Sequence, residues 1–244
     1  MKLVVPKQHG AWAMLIVPYW LEAAASGISW MHIVVFLTWT AMYLSVYTGI
    51  SAWKFKRHRR RRSLFASFSL YTGICAVLAI WTVILYPAIL LVGLAISPLF
   101  LISIYYVKTK NERSLVNDLA AVCIFSIGGL AATIVGQGQI DRTALLIAFI
   151  SVLFFMGAAL HVKMMIRERQ NTFFHYYSWL FHALAVVAFI IAGYPLVGVA
   201  FLPGLVRTIA AYRKPLKILQ IGIIEIINAL CFFAIMLLSV HIYF

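Results

Sequence analysis

Long apolar runs alternate with short polar breaks along the whole chain, and each run is about as long as a membrane-crossing helix. A bilayer core asks roughly 20 mostly apolar residues of such a helix. Charges, Pro and Gly divide the sequence into nine runs, at 10–28, 30–53, 63–84, 86–107, 117–135, 144–166, 176–193, 195–212 and 218–242. The breaks at Ser29, Leu85 and Tyr194 are short and hold little polarity, which predicts tight helical hairpins there. The fold class expected is all-α: one transmembrane helical domain over residues 1–244, with nine spans.

Composition removes the alternative of a soluble fold. Of the 244 residues, 64% are hydrophobic and only 11% charged, with a mean hydropathy of +0.99. Soluble domains sit near 45–50% apolar and about 25% charged. A core of this size cannot hide that much apolar surface from water, so lipid is the solvent. The opening MKLVVPKQHGAWAMLIVPYWLEAA resembles a signal peptide, with Ala23–Ser26 as a small-residue cleavage site. Its body, however, carries Pro18, Tyr19, Trp20 and Glu22, so the segment is read as the first span.

Charge placement orients the spans. With the N-terminus inside, nineteen of the twenty Lys and Arg fall in inner segments and only Arg142 falls outside. Cytoplasmic loops are enriched in Lys and Arg, so the expected topology is N-in and C-out. The net charge of +14 then belongs to one face. The run KFKRHRRRR (54–62) reads as a headgroup-facing anchor exposed at that surface, rather than a nucleic-acid site.

Polar groups that lipid does not explain come next. Glu22 and Glu225 lie inside proposed spans, where a charge is costly and faces a partner or a cavity. Glu225, with Asn228 three residues on, reads as a neutral, hydrogen-bonded glue between helices; a proton or substrate role is the alternative. Pro18 should kink the first helix, with Glu22 structurally paired one turn beyond. Gly128 and Gly129 mark close helix packing. Cys75, Cys123 and Cys231 have no metal or redox spacing and read as free thiols, and no cofactor or metal is implied.

At the inner ends, Gln8, His9 and Trp12 open span one, while Asn117 and Asp118 open span five with Ser114 placed to cap it. Span six runs into KMMIRERQN (163–171). At about 100° per residue, His161 and Glu168 share one face and Lys163 and Arg167 another, so both stripes cannot line one pocket. His161 and Glu168 are the better pocket pair, with the cations snorkelling. The candidate ligand-binding set is His9, Trp12, Asn117, Asp118, His161, Lys163, Arg167 and Glu168, around a cavity formed by spans one, two, five and six.

PKQHGAWAMLIVP (6–18) resembles the signature of the YwiC-like family of bacterial membrane proteins, with NDLA (117–120) and HVKMMIRER (161–169) as weaker supports. This resemblance implies a membrane protein but no particular activity. More distantly, nine spans with polar loops on the inner face are similar to the UbiA superfamily of intramembrane prenyltransferases. Tyr106 and Lys110 fit that family's YxxxK pattern. Its Asp-rich motifs, which hold magnesium and a prenyl diphosphate, would fall at 47–64 and 159–172. Neither segment contains an Asp, and the second retains Glu168 alone, so the magnesium ligands do not carry over. Arg and Lys can hold an anionic headgroup without a metal. The function expected is therefore binding of an amphipathic anionic molecule, such as a lipid, an isoprenoid or quinone precursor, or a porphyrin. The alternatives are a divergent prenyltransferase using His161, Glu168 and Asp118, and a transporter; the absence of a detectable inverted repeat argues against the last.

Overall fold

A computed structural model describes residues 3–6, 8–54 and 61–244, and the described residues form nine α-helices with no strand. They are α1 (His9–Ser26), α2 (Trp30–Lys54), α3 (Arg61–Leu85), α4 (Ile89–Lys108), α5 (Leu115–Gln137), α6 (Arg142–Ile166), α7 (Thr172–Ile191), α8 (Pro195–Ala210) and α9 (Ile218–Tyr243). Every expected run matches one helix. The largest discrepancy is at α7, which begins at Thr172 rather than 176 because Asn171 caps it, its side chain accepting from the Phe174 amide at 3.3 Å. Asp141 starts α6 in the same way, accepting from the Ala144 amide at 2.8 Å. Ser114 stands at the N-cap of α5, but its side chain makes no capping bond; its carbonyl instead accepts from the Asp118 amide.

Seven of these helices are long and apolar enough to cross a membrane, which makes this a multi-pass membrane protein. The exceptions are α1 and α8. Helix α8 has 16 residues, about 24 Å of helix against a hydrocarbon core of about 30 Å. Helix α1 carries His9, two Trp, Tyr19 and Glu22 within 18 residues, which lowers its hydropathy. Both are packed among other helices. Helix α1 lies against α5, α6 and α9, and α8 against α7 and α9. A helix surrounded by protein need not be as apolar as one surrounded by lipid.

The bundle has two large apolar clusters that meet at α1, α5 and α6, and a small third one of Met164, Met165, Ala211 and Ile221. The first joins α1, α5, α6, α7, α8 and α9 around Phe154, Phe201 and Phe232; the Phe154 and Phe232 rings stack with centroids 3.7 Å apart. The second joins α1, α2, α4, α5 and α6 around Tyr19, Trp39 and Phe125. Helices α3 and α4 sit at the periphery, and most of their large side chains face outward, as lipid-contacting residues should. Close approach is concentrated on α5. A Cβ on Gly128 would stand 2.2 Å from the Trp39 ring, and one on Gly129 would stand 3.0 Å from the Pro18 backbone. Pro18 itself lies inside an uninterrupted α1.

Glu22 is fully buried, and Thr133 donates to its Oε2 at 2.7 Å, which ties α1 to α5 in the half of the bundle away from the cations. Apart from Arg142, at the start of α6, the cations that are described gather toward one end and knit its loops together. Lys54 pairs with Glu112, Arg167 donates to the Arg113 carbonyl, Arg169 donates to the Arg213 carbonyl at 3.3 Å, and Arg213 donates to Thr172 at 3.2 Å. Of the basic run 54–62, residues 55–60 lie outside the described part; Arg61 and Arg62 are exposed.

Candidate functional site

Five helices leave a space between them at the basic end. The first turns of α1, α5 and α9 and the last turns of α2 and α6 enclose a cavity of about 680 Å³. That is within the range of small-molecule sites, roughly 300–1,000 Å³. Its outer end is formed by exposed residues, Gln8, His9 and Arg167 among them, so it opens where the cations are. Its inner end is closed by Met14, Phe125, Phe154, Phe155 and Ala229. The wall is mostly apolar, with Tyr43 and Tyr47 from α2 and a small-residue strip, Ala158 and Ala159, on α6.

The charged groups on that wall are few. Asp118 comes from the first turn of α5, Lys163 and Arg167 from the end of α6, and Glu225 from the second turn of α9. Asp118 is close enough to both cations to feel their field. Lys163 also lies over the Phe174 ring, 5.8 Å from its centroid. Among the described residues, no three His, Cys, Asp or Glu side chains gather closely enough to hold a metal ion.

Behind the wall, Glu225 heads a polar cluster that crosses three helices. Arg207 of α8 donates to Glu225 Oε1, and the two side chains are only 8% and 11% exposed. His161 of α6 stands behind them, 1% exposed, with Nε2 3.8 Å from the same oxygen. Its Nδ1 is 3.2 Å from the Thr208 hydroxyl. Arg207 Nε, His161 Nε2 and both side-chain polar atoms of Asn228 are buried without a hydrogen-bond partner. Two apparently unrelated sequence features meet here. Glu225 is not a neutral glue residue but one half of a buried ion pair. Arg207, inside the eighth expected span, sits in the last turn of α8.

The candidate residues read from the sequence divide between wall and surroundings. His9, Asp118, Lys163 and Arg167 are on the cavity wall. Trp12, Asn117, His161 and Glu168 are not. Trp12 donates to the Pro6 carbonyl at 3.1 Å and meets Tyr43 edge-on. Asn117 donates to the Glu112 carbonyl at 2.8 Å, closing the α4–α5 loop. His161 is one layer behind. Glu168 accepts from Asn171 at 2.9 Å in the loop after α6.

Helix α6 therefore turns its other stripe to the cavity: Lys163 and Arg167 face it, not His161 and Glu168. The periodicity that separated the two stripes is correct, but α6 ends at Ile166, so Glu168 belongs to no helical face. Glu225 was the residue that sequence reasoning set aside. Its only signal was a carboxylate two turns from the basic end of a span, on a segment too remote in sequence to be joined to span six.

The comparisons agree with the sequence signature. The model of the YwiC-like protein family matches residues 5–133. The "Uncharacterized protein YwiC" of Bacillus subtilis (strain 168) is 39% identical over 240 residues, 98% of this chain and 99% of that one. An "Uncharacterized protein" of Haemophilus influenzae is 32% identical over the same length, again 98% of this chain and 99% of its own. No solved structure matches the chain. Matched over more than half its length by the family model and over nearly all of it by both relatives, the chain belongs to the YwiC-like family.

Proposed function

We propose that this protein binds an amphipathic anionic molecule in the α1–α2–α5–α6–α9 cavity, with the acid group at Lys163 and Arg167 and the apolar part below. The observation that carries the reading is an apolar cavity of about 680 Å³ with those two cations at its open, basic end. A guanidinium and an ammonium at a mouth attract phosphate or carboxylate oxygens, and burial of a chain against the wall supplies the rest of the affinity. Asp118 feels the field of both cations but forms no ion pair with either among the described residues, so it is a weak competitor for them. The ligand classes that suit the shape are a lipid, an isoprenoid or quinone precursor, or a porphyrin. Membrane lipids are the natural source, and nucleic acid has no place in this cavity.

The binding test is a titration with a prenyl diphosphate or another anionic lipid, in EDTA and in magnesium. Binding should persist in EDTA. Lys163→Gln and Arg167→Gln should each weaken it about tenfold, the scale of one charge-assisted hydrogen bond. Strict dependence on magnesium, or indifference to both substitutions, would show that the basic rim does not hold the anion.

The same reading places the basic end, and with it the cavity mouth, in the cytoplasm of a bacterial inner membrane, by the positive-inside rule. Single cysteines at Lys214, Gly138 and Phe244 test it by labelling with a membrane-impermeant reagent. Gly138 and Phe244 should react in intact cells and Lys214 only after lysis. Labelling of Lys214 and Phe244 from the same side would reject nine crossings.

A further inference from the structure

Below its rim the cavity is not uniformly apolar, and the exception is Glu225. Along α6, the rim at Arg167 and the closed end at Phe154 are separated by about 20 Å of helix. His161 lies between these levels, and Glu225 is beside it, its Oε1 3.8 Å from His161 Nε2. The carboxylate is thus a polar belt partway down an otherwise apolar wall. Arg207, out of reach of the cavity, holds Oε1 from behind. Oε2 makes no hydrogen bond among the described residues, and Glu225 is the member of the cluster that lines the cavity.

The chemistry of that belt is selective. Arg207 already neutralises the carboxylate, so a ligand cation there would leave a buried charge in excess, which is strongly unfavourable. A second anion would meet a carboxylate. A neutral donor satisfies the free oxygen and leaves the pair intact. Its height follows from helix geometry: His161 is about 3 Å along the axis from Lys163 and about 9 Å from Arg167. Building on the anion-binding reading, we propose that Glu225 accepts a hydrogen bond from a hydroxyl of the ligand. That hydroxyl sits within about 3–9 Å of the acid group along the helix axis and above the ligand's apolar part. The ligand class is then an acidic lipid with a free hydroxyl next to its headgroup.

A matched pair of probes tests this: a 1-acyl lysophosphatidate, with its free hydroxyl at the second glycerol carbon, and the 2-deoxy compound of the same chain. Affinities are measured in detergent with EDTA present. The hydroxylated lipid should bind about tenfold tighter to the unmodified protein, the scale of one hydrogen bond to a charged group. In the double variant Arg207→Leu with Glu225→Leu, which removes the acceptor without leaving Arg207 unpaired, that ratio should fall below about threefold. Glycerol 3-phosphate, the same headgroup without a chain, should compete about a hundredfold more weakly. Equal affinity for the two lipids overturns the hydroxyl subsite while leaving anion binding intact. A ratio unchanged in the double variant overturns its assignment to Glu225. Binding of neither lipid overturns the anion-binding reading and the subsite with it, and equal competition by glycerol 3-phosphate overturns the need for a chain. If the double variant does not fold, the lipid pair on the unmodified protein still decides.

Discussion

Arg207→Leu should destabilise the folded protein by about 3–5 kcal/mol, the usual result of leaving one member of a buried ion pair behind. The residue left is Glu225, 11% exposed, with His161 as its next nearest polar neighbour at 3.8 Å. By the entropy scaling of chains this long, the melting temperature in detergent should fall by about 6–20 °C. The double variant Arg207→Leu with Glu225→Leu should recover most of that loss, because two apolar side chains replace two desolvated charges. Melting of the single variant at the wild-type temperature would mean that the pair is solvated or broken in the folded protein. A double variant no better than the single one would mean that packing around α8 and α9, rather than charge, is what Arg207 supplies.

Gly136→Ala should be the most damaging single methyl group on α5. A Cβ there would lie 2.4 Å from the Ser26 carbonyl oxygen and 2.5 Å from the Ser26 hydroxyl. The carbonyl belongs to the last turn of α1, so relief requires the helices to separate rather than one side chain to rotate. Overpacking of this kind costs about 1–3 kcal/mol, and Gly136→Val should exceed it. Gly93→Ala on α4 is the control, since its new Cβ would meet nothing within 4 Å. There the better helix propensity of Ala should leave stability unchanged or raise it by about 1 kcal/mol. Thermal melting of the two alanine variants side by side decides the matter. If Gly136→Ala melts no lower than Gly93→Ala, α1 and α5 are not in the contact described.

Most of the architecture was legible because lipid imposes a simple rule on sequence. Each helix must satisfy its own backbone, so a run of apolar residues of the right length is a helix whatever surrounds it. That is why nine runs matched nine helices among the described residues, with disagreement only at the ends, the largest where Asn171 caps α7. The same rule weakens for helices wrapped in protein. Helix α1 departs from the apolar pattern because α5, α6 and α9 pack around it, whereas α8, whose Val206 and Ile209 face outward, departs in length.

The site was legible only in outline. The end of the bundle that carries it followed from the clustering of Lys and Arg, and His9, Asp118, Lys163 and Arg167 do meet on one wall there. Angular spacing along α6 correctly parted Lys163 and Arg167 from His161. It said nothing about which stripe faced inward, since that depends on where α1, α8 and α9 stand. Trp12 and Asn117 were polar groups at the right depth, but each bonds a nearby carbonyl instead of facing the cavity.

What the sequence determined by itself, then, is what depends on neighbours along the chain: helix positions, the basic end, the small residues at close contacts and the family signature. What only the tertiary structure decided is what depends on neighbours across space. Arg207 and Glu225 lie on different helices, and each alone reads as a cation near a helix end or a solitary membrane acid. Only the packing of α8 against α9, with α6 behind, brings them within bonding distance and turns the carboxylate toward the cavity. A one-dimensional pattern records hydrophobicity and period, but the energy of a buried charge is set by the partner it meets.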